Sequence, residues 1–268
     1  MTILQSNVTS GYVDVLDSDG VQWVLDVIDS YEDYWIRRGV YSESTGFAAT
    51  EDPVDFYTLG AATYIDCKLD KQIYEYINGE VSNYLKSDFN WLYDTLIYKI
   101  WDEIGPCKIS NELAPPGFHI FGCKRDEEPT EATKNYMEKS TATIHVDLQQ
   151  EQHMSVWNKF DEVDLENCLS FTLPLQIPTS GAGLNTWEDD SLKCYELNDD
   201  YCKSIKKLDY GEHSPPNAIV PYYAGKLFYF IGPLKHQIAP GNKLILSDRR
   251  ITLQGHGVKC DGVWQLYF

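Results

Sequence analysis

The stretch STATIHVDLQQEQH, residues 140–153, sets an imidazole, His145, and a carboxylate, Asp147, two positions apart in a run of alternating Thr, Ile and Val. In an extended chain, side chains at i and i+2 leave the same face, so the two groups converge on one point, where they can grip a metal ion. A third ligand is offered by His236, which follows the aromatic run KLFYFIGPLKHQIAPG through a Gly232-Pro233 corner. Two histidines and one carboxylate on one side of a metal leave its other positions open, the donor set that suits non-haem Fe(II) oxygen chemistry.

The run DRRITLQGHG adds an anion site. Arg250 and Thr252 share a strand face, and a guanidinium fork with a hydroxyl two residues on can hold one carboxylate of a co-substrate. Arg249 is the other possible anchor. Strand alternation groups it with Ile251 and Leu253, on the face expected to pack on helices, so Arg250 is preferred; a bulge would reverse the choice. Tyr229 shares the parity of Leu227 and Ile231 ahead of His236, and a phenol facing inward there would hydrogen-bond the same acid; a packed tyrosine is the commoner case. Four residues are candidates for substrate contact: His119 in PPGFHIFGCKRD, Arg125 at the end of that run, and Asn185 and Trp187 in GLNTWED. Each has a plainer reading as a hydrogen-bonded core histidine, an exposed strand-end arginine, or core side chains at strand spacing. His153, His213 and His256 sit in polar loops or at a strand end and read as solvated.

The elements that must position these groups change in texture along the chain. Residues 20–38 carry apolar residues near helical spacing, with Ser18 or Asp19 as N-cap. Residues 69–105 predict two or three further helices, interrupted near Asn78-Gly79 and Ser87-Asp88 and ending at Gly105-Pro106. From about residue 115 the chain turns to short β-rich runs between turn residues, which predicts a helix-supported sandwich or barrel of the jelly-roll kind. The acidic stretch at about 188–217 is an insertion between strands, readable either as a lid or as a solvated excursion. The expected organisation is a single domain over 1–268, with helical support in 1–110 and a β core in 111–268.

The pattern H-x-D, a distant H, then R-x-T resembles the iron(II)- and 2-oxoglutarate-dependent oxygenases over roughly residues 112–268, and more loosely before that. The order IHVD, LSFTLPLQIP, GAGLNTW, AGKLFYFIGPLKHQI and RRIT is similar to the phytanoyl-like and proline-hydroxylase-like tailoring oxygenases, and distantly to the cyanobacterial indole-alkaloid halogenases. The resemblance implies an α+β chain, mainly β, whose core is a double-stranded β-helix or distorted jelly roll with N-terminal helices. It implies His145, Asp147 and His236 as iron ligands, Arg250 with Thr252 as the anchor for 2-oxoglutarate, and O2 as oxidant. The halogenases carry a small residue where Asp147 stands, so this chain departs from them and halogenation is not expected. The implied chemistry couples decarboxylation of 2-oxoglutarate to hydrogen abstraction from an unactivated C–H of a small, amino-acid-derived or other specialised metabolite. Hydroxylation and oxidative cyclisation, the latter as in the kainoid synthases acting on an N-prenylated glutamate, are both compatible outcomes. Two rivals stand beside this: a cupin-like metalloenzyme that does not use 2-oxoglutarate, and a non-catalytic jelly-roll binding module.

Composition narrows the partners. A formal charge of −19 over 268 residues repels phosphate backbones and anionic membranes, so neither nucleic acid nor a membrane is expected as partner. No basic-flanked apolar leader or membrane-length apolar run is read, and a cytoplasmic location is expected. Seven cysteines without a C-x-x-C pair predict free thiols. Oligomeric state has no signature in the sequence.

Overall fold

The computed structural model describes residues 8–38, 40–42, 46–48, 54–124, 127–128, 130–139, 142–187 and 214–268. The first part of the chain runs β1 (Thr9–Asp14), α1 (Ser18–Ser30), β2 (Ile36–Arg37), β3 (Val40–Ser42), β4 (Gly46–Ala48), β5 (Phe56–Leu59), α2 (Thr63–Leu69), α3 (Lys71–Asp88), α4 (Asn90–Ile104) and β6 (Cys107–Ile109). The second part runs β7 (Gly117–Phe121), α5 (Glu131–Met137), a 3-10 turn at Gln149–His153, α6 (Met154–Trp157), β8 (Val163–Gln176), β9 (Leu184–Trp187), β10 (Ala218–Val220), β11 (Lys226–Ile231), β12 (Lys235–Ile238), β13 (Arg250–Cys260) and β14 (Val263–Tyr267).

Two antiparallel sheets face each other. The central strands of the larger sheet run β11-β8-β13-β7, extended by β1 on one side and by β5 and β2 on the other. The smaller sheet runs β10-β9-β12, and His145 adds an antiparallel bridge to His236 on the free edge of β12. From β7 onward the chain passes back and forth between the sheets, which is the double-stranded β-helix. The first part is less purely helical than its sequence suggests, because β1, β2 and β5 all join the larger sheet.

Local chemistry explains the helix boundaries. Asp17, one residue before the expected caps, accepts the Gly20 N–H at 2.8 Å and starts α1, whose Val21, Val24 and Ile28 form one buried stripe. The helix stops at Ser30 rather than continuing to residue 38. The chain there takes a 3-10 turn, and Trp35 folds back so that its indole N–H donates to the Ile28 carbonyl at 3.1 Å. Asp70 caps α3 through the Gln72 N–H, and this helix runs through Asn78-Gly79 without a break. Gly105, at φ +99°, ends α4 in a conformation that only glycine adopts at no cost.

The helices cover the outer face of the larger sheet. Phe89, which opens α4, meets Phe118 of β7 with ring centroids 4.8 Å apart, and Ile251 and Leu253 of β13 are fully buried on that side. A second apolar cluster, including Leu184, Val220, Tyr222, Phe228 and Phe230, fills part of the space between the sheets. What is left of that space is the cavity.

Candidate metal and co-substrate site

The segment carrying His145 and Asp147 is not a full strand. Its backbone pairs with the smaller sheet where the His145 N–H donates to the His236 carbonyl at 3.0 Å and the His236 N–H returns to the His145 carbonyl at 2.8 Å, and the Gln237 side chain of β12 donates to the Ala142 carbonyl at 2.7 Å. This reciprocal pair locks the two imidazoles side by side, with centroids 4.5 Å apart. His145 Nδ1 lies 2.7 Å from the Thr143 carbonyl and His236 Nδ1 2.9 Å from the Leu234 carbonyl. A carbonyl only accepts, so each Nδ1 carries a proton, and the lone-pair direction of Nε2 on each ring points outward.

Those lone pairs face Asp147. His145 Nε2 is 3.6 Å from Oδ1 and His236 Nε2 is 3.8 Å from Oδ2, and one ligand atom from each of the three residues lies within 4.8 Å of the others. Burial alone would raise the Asp147 carboxyl. The surrounding imidazoles of His236, His256 and His145 and the Ser170 hydroxyl outweigh it and hold the group below the usual carboxylate range. Two ring nitrogens and a carboxylate converging on one point are matched by a cation. The nitrogen and oxygen donors suit a divalent transition metal and leave part of its coordination shell to the cavity.

Two residues that the sequence reading passed over support Asp147. Ser170 on β8 donates to Oδ2 at 2.6 Å, and His256 Nδ1 lies 3.3 Å from the Ser170 oxygen. With its own proton given to the carboxylate, the hydroxyl accepts from His256. Gln149 donates to Oδ1 at 3.0 Å. His256 is therefore not solvated: it sits in the middle of β13, and burial lowers its affinity for a proton, with Asp147 opposing. His153 is also buried, with Nε2 2.9 Å from the Thr63 hydroxyl, on the far side of α2 from solvent. His213 lies outside the described residues.

A cavity of about 500 Å³ opens beside the triad, within the size range of small-molecule sites. Among the candidate residues, His145, Asp147, His236 and His119 line it. His119 accepts or donates a 3.0 Å hydrogen bond with Tyr64, and burial, reinforced by the charges of Arg250 and Arg38, pushes it down to about 3, so it is neutral. Arg250 is 1% exposed, and its guanidinium lies 5.8 Å from the centre of Phe121 and 5.7 Å from that of Tyr222, two rings that line the cavity. Its Nη1 and Nη2 find no hydrogen-bond partner among the described residues, and neither does the fully buried Thr252 hydroxyl. The Arg250 Nε donates to the Ala182 carbonyl at 3.5 Å, and buried polar groups are paired in nearly all folded proteins, so two free Nη groups and a free hydroxyl at alternate positions of one strand call for an anion. Arg249 faces the other way, bound to Asp29 of α1 at 2.8 Å and lying over Trp35.

Three expectations change. Tyr229 does not face the cavity: Phe228 and Phe230 point between the sheets, while the Tyr229 hydroxyl donates to Glu103 of α4 at 2.8 Å. Asn185 and Trp187 do not line the cavity either. Thr186 pairs with His236 and Leu184 with Ile238, which puts Leu184 and Thr186 on the inner face and Asn185 and Trp187 on the outer. Trp187 donates its indole N–H to the Ser214 carbonyl at 2.7 Å. Arg125, and nearly all of the acidic insertion read as a lid, lie outside the described residues.

No family model matches this chain, and no curated protein matches it. Solved structures do. The epimerase SnoN, in complex with Fe3+, alpha ketoglutarate and nogalamycin RO, is 13% identical with a TM-score of 0.40, over 96% of this chain and 82% of its own. An N-substituted L-amino acid dioxygenase from Burkholderia ambifaria AMMD, in complex with alpha-KG, is 11% identical with a TM-score of 0.47, over 97% and 86%. A prolyl-4-hydroxylase from Pseudomonas putida is 12% identical with a TM-score of 0.34, over 98% and 94%.

Proposed function

We propose that this chain is an Fe(II)- and 2-oxoglutarate-dependent oxygenase acting on a small molecule. The observation that carries this reading is the pairing of two unmet demands between the same two sheets: a converging cluster of ligand atoms on His145, Asp147 and His236, and a buried Arg250 whose Nη groups have no partner. A metal site alone would explain the first and leave the second. A diacid that coordinates the metal with one end and is gripped at the other satisfies both.

When bound, iron and 2-oxoglutarate together supply an oxidant strong enough for an unactivated C–H bond. The chain's part is placement. His145, Asp147 and His236 would hold the metal, each imidazole fixed by its own backbone carbonyl. Ser170, with His256 behind it, keeps the carboxylate from turning. Arg250 and Thr252 would bind the distal carboxylate of the co-substrate. The rings of Phe121, Tyr222 and Phe230 exclude water from the space between, which strengthens every polar contact inside it. Whether hydroxylation or cyclisation follows is set by how the substrate is held relative to the metal, so both products belong to this reading.

The test is anaerobic titration of the purified protein with Fe(II) and then 2-oxoglutarate, read by the weak visible charge-transfer band of the ternary complex, with succinate release measured on admitting O2. The band is expected in the wild type, absent in Asp147→Ala and weakened in Arg250→Ala. Metal binding without the band, with no succinate formed, would favour a metalloenzyme that does not use 2-oxoglutarate.

A further inference from the structure

We infer that the cavity is built for a substrate carrying no anionic group: an uncharged or amine-bearing molecule with an apolar body. This rests on the iron and 2-oxoglutarate reading and follows from an inventory of cations. Of the five arginines, Arg37 is bound to Asp55 at 3.2 Å, Arg38 is held bidentately by Asp66 at 2.6 and 2.9 Å, and Arg249 is bound to Asp29 at 2.8 Å. Arg125 lies outside the described residues. Of the other four, Arg250 has both Nη groups unpaired and no acid bound to it, whereas Arg249, whose Nε also lacks a partner, is already neutralised by Asp29; the Arg250 cation is matched by one acid, the co-substrate's.

The described wall of the cavity contains no lysine or arginine, and its charged side chains, Asp147 and Glu151, are both acids. The histidine nearest the Arg250 end, His119, is neutral and already bonded to Tyr64. With the metal and Arg250 already matched by Asp147 and the co-substrate, a substrate carboxylate entering this space would surrender its hydration with no further counter-charge on the described wall to replace it. An amine meets the opposite situation: aromatic faces at Tyr136 and Phe230, and Glu151 in the 3-10 turn after the triad. An acidic amino-acid derivative of the N-prenylated glutamate type is therefore a poor match, and an amine, amide or neutral heterocycle a good one.

The test uses the protein loaded anaerobically with Fe(II) and 2-oxoglutarate, so that the charge-transfer band reports an intact co-substrate complex while a second ligand is added. The probes are a matched set, phenethylamine, phenylacetamide and phenylacetate, with their indole counterparts, and binding is read by ligand-observed NMR and by perturbation of the band. The amines and amides are expected to bind at least tenfold more tightly than the carboxylates. Glu151→Gln is expected to bring the amines down toward the amides. A carboxylate that binds as tightly as its amine while the band is retained overturns the proposal, and loss of that binding in Arg125→Ala would identify the cation responsible. Failure of every amine and amide to bind a protein that does show the band also overturns it. Absence of the band refutes instead the iron and 2-oxoglutarate reading on which the proposal stands.

Discussion

Replacing Arg250 by methionine is predicted to stabilise the empty protein while removing most of its response to 2-oxoglutarate. A guanidinium that is 1% exposed, with Nη1 and Nη2 unpaired, carries a desolvation penalty of several kcal/mol. The faces of Phe121 and Tyr222 return about 0.5–2 kcal/mol each, and the smaller methionine side chain leaves a void costing about 1 kcal/mol. The net gain is about 1 kcal/mol, or roughly 3 °C in Tm for a chain of this size. Arg249→Met is the control, since it breaks an ion pair whose side chains are 17% and 13% exposed and should cost about 3 kcal/mol. With Mn(II) as a redox-inert metal, 2-oxoglutarate at about a hundred times its Kd should stabilise the wild type by about 2.7 kcal/mol. Losing a buried, charge-assisted bidentate contact costs about 2–5 kcal/mol, which weakens 2-oxoglutarate by roughly 30- to 4,000-fold. At that same concentration the stabilisation should then fall to about 0.9 kcal/mol or less in Arg250→Met and survive in full in Arg249→Met. Thermal scans of the three proteins, apo, with Mn(II), and with Mn(II) plus 2-oxoglutarate, decide it. An Arg250→Met protein that is destabilised like an ordinary core variant yet still rises with 2-oxoglutarate as far as the wild type would refute the reasoning.

Other outcomes follow from the same geometry. Ser170→Ala should weaken metal binding by about 10- to 100-fold through a freed Asp147, with partial recovery in Ser170→Thr, measured by Mn(II) titration. Tyr229→Phe removes only the bond to Glu103, so it should cost about 1 kcal/mol of stability and leave 2-oxoglutarate affinity unchanged, as equilibrium denaturation and the charge-transfer titration would report. Burial, with Lys71 adding to it, pushes His153 down to about 4 from an ordinary value of 6.5, so the folded state keeps it neutral where the unfolded chain binds a proton. Its contribution is intact above about pH 6.5 and lost as pH falls toward 4, up to about 3 kcal/mol; urea midpoints at pH 7 and pH 4.5 should differ less in His153→Gln. Asp66→Asn breaks the buried bidentate pair with Arg38 and should cost about 3–5 kcal/mol in urea unfolding.

The sequence revealed most where one residue type at one spacing had one physical use. Alternating apolar runs bounded by turn residues located β7, β8, β9, β11, β12, β13 and β14, because a half-buried strand needs that period. The spacing of His145 and Asp147 gave their convergence even though the segment forms a single bridge instead of a strand. Parity failed where it was carried across a corner. Tyr229 and His236 flank Gly232, at φ +102°, where the chain leaves one sheet for the other, so facing inward on β11 and on β12 are unrelated conditions. His256 was misread because Gly255 and Gly257 beside it look like a turn. They are strand glycines, and a Cβ on Gly255 would lie 2.4 Å from the ring of Phe171. Strand β10 was hidden at the end of the long acidic insertion, and the place of β1 beside β11 depends on pairing across more than two hundred residues, which no local pattern encodes.

The bridge between His145 and His236 has a consequence for the lifetime of the protein. Two of the three side chains proposed to bind metal hang on a segment whose backbone is held to the smaller sheet by one reciprocal pair of hydrogen bonds, while the third belongs to a properly woven strand. A bound ion is thus a cross-link between parts of the chain far apart in sequence, closing a large loop. Without it, residues 142–148 open once those two bonds and the side-chain bonds from Ser170 to Asp147 and from Gln237 to the Ala142 carbonyl break, and the freed backbone is a substrate for proteases and for solvent exchange. Metal occupancy would then govern how long each molecule survives as well as whether it turns over, and molecules that never acquired the ion would be the first to be degraded.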